Sequence, residues 1–101
     1  MRLLFICSVG MHRSRTAAEA FSGQFETKFA GVYDNIVTAE QIGWADRVLV
    51  MEERHKKDLL ARFPGLGLEK KIACLDVPNS YFYNQPELVA MLKERLGEIR
   101  L

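Results

Sequence analysis

"FICSVGMHRSRTAAEA" occupies residues 5–20: an apolar run stops at Cys7, five residues follow, Arg13 and Ser14 come next, and an alanine-rich segment begins. With the residues before it, "RLLFI" (2–6) is short and continuously apolar, as expected of a strand buried on both faces. From Ser14 onward Ala17, Ala18, Phe21 and Phe25 recur at helical spacing, with Ser14 a favourable N-cap and Gly23 near the end. The stretch between is therefore a loop leading from the end of a strand into a helix, and Gly10 gives it backbone freedom midway.

Outward from this unit the pattern repeats. "KFAGVY" (28–33) predicts a second strand, closed by a turn at Asp34 and Asn35. Thr38 opens a Thr-x-x-Gln capping box and a short helix to about Ala45, on which Trp44 reads as core. "RVLVM" (47–51) is another buried strand. "EERHKKDLLARF" (52–63) has acids in its first turn and an apolar stripe at Leu59, Leu60 and Phe63, with His55 packed near that stripe; Pro64 and Gly65 stop it. "KIACLDV" (71–77) predicts the fourth strand, followed by the polar and aromatic loop "PNSYFYNQ" (78–85). Pro86 suits the first turn of a final helix facing inward through Leu88, Leu92, Leu96 and Ile99. Four strand–helix alternations predict an α/β chain. The expectation is a single three-layer domain over residues 1–101, with a four-stranded parallel sheet in the order 2-1-3-4 and helices on both faces. Ligands of such sheets bind outside the carboxyl ends of the strands, where the Cys7 loop lies.

Bulk composition narrows the function classes. The 101 residues contain 49% hydrophobic side chains, enough for one core, and fourteen Lys and Arg against thirteen Asp and Glu give a net charge of +1. That balance calls for neither nucleic acid nor an anionic membrane, so an anion must be held by a local site. Two cysteines, Cys7 and Cys74, are too few for a secreted disulfide framework, and neither has metal-ligand spacing to His12 or His55; no metal or cofactor is expected. "MRLLFIC" is too short before Cys7 for a signal peptide or lipobox, no segment approaches membrane-spanning length, and a cytoplasmic location is the expectation.

The chemistry concentrates in the loop. Successive backbone N–H groups and the positive end of a helix make an anion cradle, and Arg13 adds a planar fork that holds two phosphate oxygens. The same field favours the thiolate of Cys7, and the Ser14 hydroxyl can hydrogen-bond to it. A nucleophile beneath a phosphate cradle is the arrangement needed to attack phosphorus and form a cysteinyl-phosphate. Taken singly, a cysteine at a strand end is a small buried hydrophobe and an arginine a solvated charge; the joint pattern of strand, Cys, glycine-containing loop, Arg, Ser and helix argues for chemistry. Cys74, inside an apolar strand with no basic neighbour there, reads as an inert buried thiol.

On these residues the chain resembles a known family. "LLFICSVGMHRSRTAAEAF" (3–21) is similar to the phosphate-binding loop and first helix of the low-molecular-weight protein tyrosine phosphatases, whose signature is Cys, five residues, Arg, Ser. "WADRVLVMEERHKKDLLARFP" (44–64) and "LDVPNSYFYNQPELVAMLKERL" (75–96) resemble a short bacterial branch of that family, so the likeness spans nearly the whole chain. It implies Cys7 as nucleophile and Arg13 as the phosphate-binding side chain that stabilises the transition state. It also implies a cradle from the amides of Ser8, Val9, Gly10, Met11, His12 and Arg13, with Ser14 supporting the thiolate. The implied substrates are a phosphorylated protein or small phosphomonoester, with phosphate- or vanadate-type anions as ligands.

The chain also departs from the family. Gly10 stands where an asparagine usually ties the loop into shape, and Arg15 replaces a common proline. In the late loop "DVPN" keeps Asp76, but Asn79 occupies the position of the usual acid and cannot supply a proton; Gln85 replaces a second aspartate. Asp76, at a strand end, is the surrogate acid to consider beside a plain loop-capping role. His12 lines the loop facing solvent, and Tyr81, Phe82 and Tyr83 are candidates for an aromatic wall or for core packing. The chain is shorter than the family between Gly31 and Thr38, where substrate-contacting insertions lie. Three other readings use the same residues: a catalytically weak phosphate-binding module, an arsenate reductase, and a phosphocysteine carrier. The reductase needs a relay of further cysteines that Cys74 does not supply, and a carrier loop has a small or hydroxyl residue in place of Arg13.

Overall fold

The computed structural model describes residues 1–101. Four strands, β1 (Arg2–Cys7), β2 (Glu26–Gly31), β3 (Arg47–Val50) and β4 (Ile72–Cys74), form one sheet in the order β2-β1-β3-β4, with every neighbouring pair parallel. Four α-helices, α1 (Arg13–Ala20), α2 (Ala39–Trp44), α3 (Glu53–Arg62) and α4 (Pro86–Gly97), make the crossovers and the final cover. The predicted order and architecture hold.

The layering follows from strand alternation. Leu3, Phe5 and Cys7 of β1 face one side and join Leu49, Met51, Ala17, Ala18, Phe21, Leu88, Leu92 and Leu96; α1 and α4 cover that side. Leu4 and Ile6 face the other side and join Val48, Val50, Ile42, Leu59, Leu68 and Ile72 beneath α2 and α3. A strand apolar at every position from Leu3 to Cys7 is what a sheet covered on both faces requires. Phe5 and Phe21 stack with centroids 5.8 Å apart, fixing α1 over β1.

Several element boundaries differ from the sequence reading, each for a physical reason. Helix α1 begins at Arg13, one residue before the expected cap, and His12 caps it without a side-chain bond; Ser14 is fully buried with its hydroxyl turned to Cys7 instead. It ends at Ala20, because Phe21 turns into the core and the chain then reverses to reach Glu26. Strand β2 spans 26–31 instead of 28–33: Val32 and Tyr33 leave the ladder to bond the carbonyls of Cys7 and Ser8. Strand β4 stops at Cys74, although the Leu75 and Val77 amides still donate to Val50 and Met51 carbonyls and carry the segment past the sheet edge. Trp44 is half-buried at the rim of the core, where Lys28 Nζ lies 4.6 Å from its ring. The capping box of α2 is present as expected, Thr38 Oγ1 accepting from the Gln41 amide at 3.1 Å. No helix is long and apolar enough to cross a membrane.

Candidate active site

Where β1 ends, the chain wraps back over the end of β2. Gly10 has φ +63°, and a Cβ there would lie 2.7 Å from the Ala30 carbonyl carbon and 2.8 Å from the Gly31 nitrogen. Gly31 reciprocates: its Cβ would stand 2.6 Å from the Gly10 nitrogen and 2.3 Å from the Asp34 oxygen. Two glycine backbones therefore lie in contact, which no side chain at either position permits. Asn35 Nδ2 donates to the Gly10 carbonyl at 3.3 Å, so an asparagine does tie this loop, reaching in from the turn after β2. The Cys7 and Ser8 carbonyls are spent on the amides of Val32 and Tyr33. By contrast, the backbone N–H groups from Ser8 through Arg15 have no acceptor within the protein. A run of consecutive unspent amides at the start of a helix is an anion cradle.

Cys7 sits at its base, 2% exposed, with Sγ 3.1 Å from the Ser14 hydroxyl. Arg13 is the largest fully buried side chain of the molecule. Its Nη1 donates to Glu52 Oε2 at 2.6 Å and to the Val77 carbonyl at 2.7 Å; its Nη2 reaches Ser8 Oγ at 3.3 Å. Glu52, at the end of β3, is in turn held by Arg54 through Nε at 3.1 Å and Nη2 at 3.2 Å. These hydrogen bonds, first from Arg54 and then from Arg13, outweigh partial burial and pull the Glu52 carboxyl down to about 2.

His55 completes the support. It is 1% exposed; its Nδ1 accepts from the Glu52 amide at 3.2 Å, which leaves the proton of a neutral ring on Nε2, 3.1 Å from Ser8 Oγ. Burial first, and then the Arg13 charge, push its pKa down to about 4. The sequence placed His55 among packed residues, which is right, but its hydrogen bonding to the cradle was not legible. Glu52 and Arg54 were missed altogether. Their only signal was position: two and four residues past the end of a strand neighbouring β1, they must lie at the same carboxyl edge as the loop.

The 78–85 loop docks on α1. The Tyr83 amide donates to His12 Nδ1 at 3.2 Å, the Asn84 amide donates to Thr16 Oγ1 at 2.8 Å, the Tyr83 hydroxyl bonds Glu19, and Arg15 lies 4.3 Å from the Tyr83 ring. His12 thus supports this loop as well as lining the cradle, with the Phe82 ring edge-on to it at 5.9 Å. Met11 is half exposed at the mouth, and Val9 is half-buried. Tyr81 packs against the α1/α4 core, leaving Phe82 as the exposed aromatic beside the loop. Asp76 is exposed with φ +55°; its amide donates to Cys74 Sγ at 3.3 Å, and its carboxylate makes no hydrogen bond to Cys7 or Arg13. Cys74 faces the α2/α3 side, and burial raises its pKa to about 11. β3 lies between it and β1, so the two backbones stand roughly two strand spacings apart, about 10 Å, and the two side chains face opposite sides of the sheet, beyond disulfide reach.

No three His, Cys, Asp or Glu side chains gather as a metal site. The two cavities of the molecule lie elsewhere: one of about 350 Å³ beside Lys28 and Gln41, and one of about 520 Å³ between α1 and α4. Neither is lined by a residue of the cradle, whose chemistry comes from donors rather than volume.

Neither a protein-family model nor a curated protein matches the chain. Solved structures do. An arginine phosphatase from Geobacillus stearothermophilus is similar at TM-score 0.71 and 24% identity, over 96% of this chain and 90% of that one. A low-molecular-weight protein tyrosine phosphatase from T. tengcongensis is similar at TM-score 0.77 and 22% identity, over 96% and 93%. Another from Bacillus subtilis is similar at 0.71 and 19%, over the full length of both chains. The sheet order, the position of Cys7 after β1 and these likenesses agree: the chain has the fold of the low-molecular-weight protein tyrosine phosphatases.

Proposed function

We propose that the protein is a cysteine-dependent phosphatase acting on phosphorylated side chains of the phosphotyrosine type. The observation that carries this reading is the run of unspent amides from Ser8 through Arg15 around the sulfur of Cys7. The amides and Arg13 bind the phosphoryl oxygens. The Cys7 thiolate attacks phosphorus, an S–P bond forms, and the ester P–O bond breaks with its electron pair leaving on the ester oxygen, which takes up a proton. Water then attacks phosphorus and returns a proton to the group that protonated the leaving oxygen; the S–P bond breaks with its electron pair staying on sulfur, thiolate is regenerated and inorganic phosphate is released. Ser14 donates to the thiolate in both steps. Arg13, clamped by Glu52 and Val77, meets the developing charge without having to reorganise.

Asp76 is the one carboxylate of the 75–85 segment and is proposed as proton donor to the leaving oxygen. A more basic leaving oxygen depends more on being protonated as it departs, so the contribution of Asp76 grows with the basicity of the leaving group. The same observation favours a second reading, a phosphate-binding module with slow turnover. Hydrolysis of p-nitrophenyl phosphate by the wild type, Cys7→Ser, Arg13→Ala and Asp76→Asn, with vanadate binding in parallel, tests both. Turnover abolished in Cys7→Ser supports the hydrolase, and turnover retained in that variant sinks it. Vanadate binding without wild-type turnover selects the module. Phosphotyrosine and phosphoarginine offered as competing substrates decide the side chain, since similar folds carry out both reactions.

A further inference from the structure

Ser8 Oγ is approached by three N–H donors: Arg54 Nη2 at 2.9 Å, His55 Nε2 at 3.1 Å and Arg13 Nη2 at 3.3 Å. A hydroxyl oxygen has two lone pairs, so the donors already exceed what it can accept. Its own proton has no acceptor within hydrogen-bonding distance in the protein. The charges are unbalanced in the same direction. Two guanidinium groups, Arg13 and Arg54, share the single carboxylate of Glu52, which leaves one positive charge unpaired. Arg13 is buried, whereas the Arg54 side chain is half exposed, so the unpaired charge faces solvent at the rim. Beside it Arg54 Nη1 lies 3.5 Å from the Tyr33 hydroxyl, and Tyr33 is 63% exposed.

A phosphoryl group presents three terminal oxygens, and the eight unspent amides from Ser8 through Arg15, with Arg13, outnumber them. Arg54, Tyr33 and the Ser8 proton are surplus to that task. We propose that Ser8, Arg54 and Tyr33 form a second anion site at the rim of the cradle, selecting phosphorylated protein segments in which a carboxylate side chain flanks the phosphorylated residue. The proposal rests on the phosphate-binding reading of the loop. A peptide fits better than a small ion because Met11, Tyr33 and Phe82, each adjoining the loop or one of its side chains, present exposed apolar surface to a longer partner.

The test compares two phosphotyrosine peptides, one with aspartates and one with serines flanking the phosphorylated residue. Each is titrated against Cys7→Ser and against Cys7→Ser with Arg54→Gln. The ratio of the two affinities is the readout. Loosening of Glu52 and Arg13 in the Arg54 variant weakens both peptides alike and cancels. The acidic peptide is expected to bind about ten-fold more tightly to Cys7→Ser, a preference that collapses toward unity with Arg54→Gln and is partly kept with Arg54→Lys. Equal binding of the peptides to Cys7→Ser, or a preference that survives Arg54→Gln, overturns the site. Pyrophosphate competing far better than phosphate while the peptides bind alike moves the second anion to a phosphate and overturns the carboxylate assignment. Hydrolysis is judged separately, by wild-type turnover of p-nitrophenyl phosphate. Turnover without peptide preference sinks the second site alone, and preference without turnover sinks the hydrolase alone.

Discussion

Arg13 Nη1 and Glu52 Oε2 lie 2.6 Å apart, joining the loop after β1 to the end of β3 through a guanidinium that is 2% exposed. The same nitrogen donates to the Val77 carbonyl, so one side chain gathers the carboxyl ends of β1, β3 and the β4 segment. An arginine held this way aims rather than searches.

Replacing Glu52 by Gln keeps the shape but removes the charge opposite a buried guanidinium. Loss of one partner of such a pair leaves an uncompensated charge, at a cost of about 3–5 kcal/mol when both partners are buried. Glu52 is partly exposed, so a smaller loss of unfolding free energy, roughly 2–3 kcal/mol, is expected from urea denaturation at pH 7. Phosphate affinity is expected to fall as well. A variant as stable as wild type, with unchanged phosphate binding, would remove Glu52 from the positioning of Arg13.

Stability is expected to fall on mild acidification. The pKa of His55 is lowered in the folded state from 6.5 to about 4, so the unfolded chain binds the extra proton first. The contribution of neutral His55 is complete above pH 6.5 and is lost as pH falls to about 4, an order of 3 kcal/mol at most. Glu52 adds a second window, its contribution present above pH 4.5 and lost toward about 2. Denaturation curves between pH 7 and 4 should slope downward for the wild type and flatten for His55→Gln. Parallel slopes for the two proteins would contradict the assignment.

Gly10→Ala places a methyl 2.7 Å from the Ala30 carbonyl carbon at a backbone angle of +63°. Both effects act together, and the loop must open from β2 to relieve them. The expected result is loss of vanadate binding with a marked drop in thermal midpoint. Asn35→Ala removes the bond to the Gly10 carbonyl and also puts an alanine at φ +48°, so it should cost about 2 kcal/mol. Vanadate affinity unchanged in Gly10→Ala would show that the close glycine contact is dispensable.

Ser14→Ala deletes the hydroxyl 3.1 Å from Cys7 Sγ while leaving the buried helix start in place. Alkylation of Cys7 by iodoacetate at pH 7 and hydrolysis of p-nitrophenyl phosphate should both slow, by about ten-fold. Rates equal to wild type would exclude support of the thiolate by Ser14.

Cys74 should be silent. Its thiol is raised to about 11 and its backbone lies about two strand spacings from that of Cys7, so Cys74→Ala should leave aryl phosphate turnover within two-fold. A large loss would revive a two-cysteine relay.

The architecture was readable along the chain because its signals are local. The uninterrupted apolar run of β1, the capping box at Thr38 and Gln41, the proline at the start of α4 and the Cys-x5-Arg-Ser spacing each report a conformation through neighbouring residues. The cradle follows from the same source, since a glycine-containing loop between strand and helix turns its amides toward one point. The boundaries of α1 and β2 were less readable, because Ser14 and Val32 are claimed by Cys7 and by the loop carbonyls, which beat local propensity.

What the linear order could not express is convergence. Glu52, Arg54 and His55 read as the first turn of an ordinary charged helix, and Asn35 as a turn residue, until parallel pairing of β1 with β2 and β3 carried all four to the edge where Cys7 ends. Asn35 then ties the glycine loop, Glu52 clamps Arg13, and His55 and Arg54 crowd the Ser8 hydroxyl with donors. Covalent spacing places a nucleophile and an arginine six positions apart, with five residues between them. The direction in which that arginine points, and the surplus of positive charge beside it, come from contacts between residues about 40 positions apart, which only strand pairing brings within hydrogen-bonding distance.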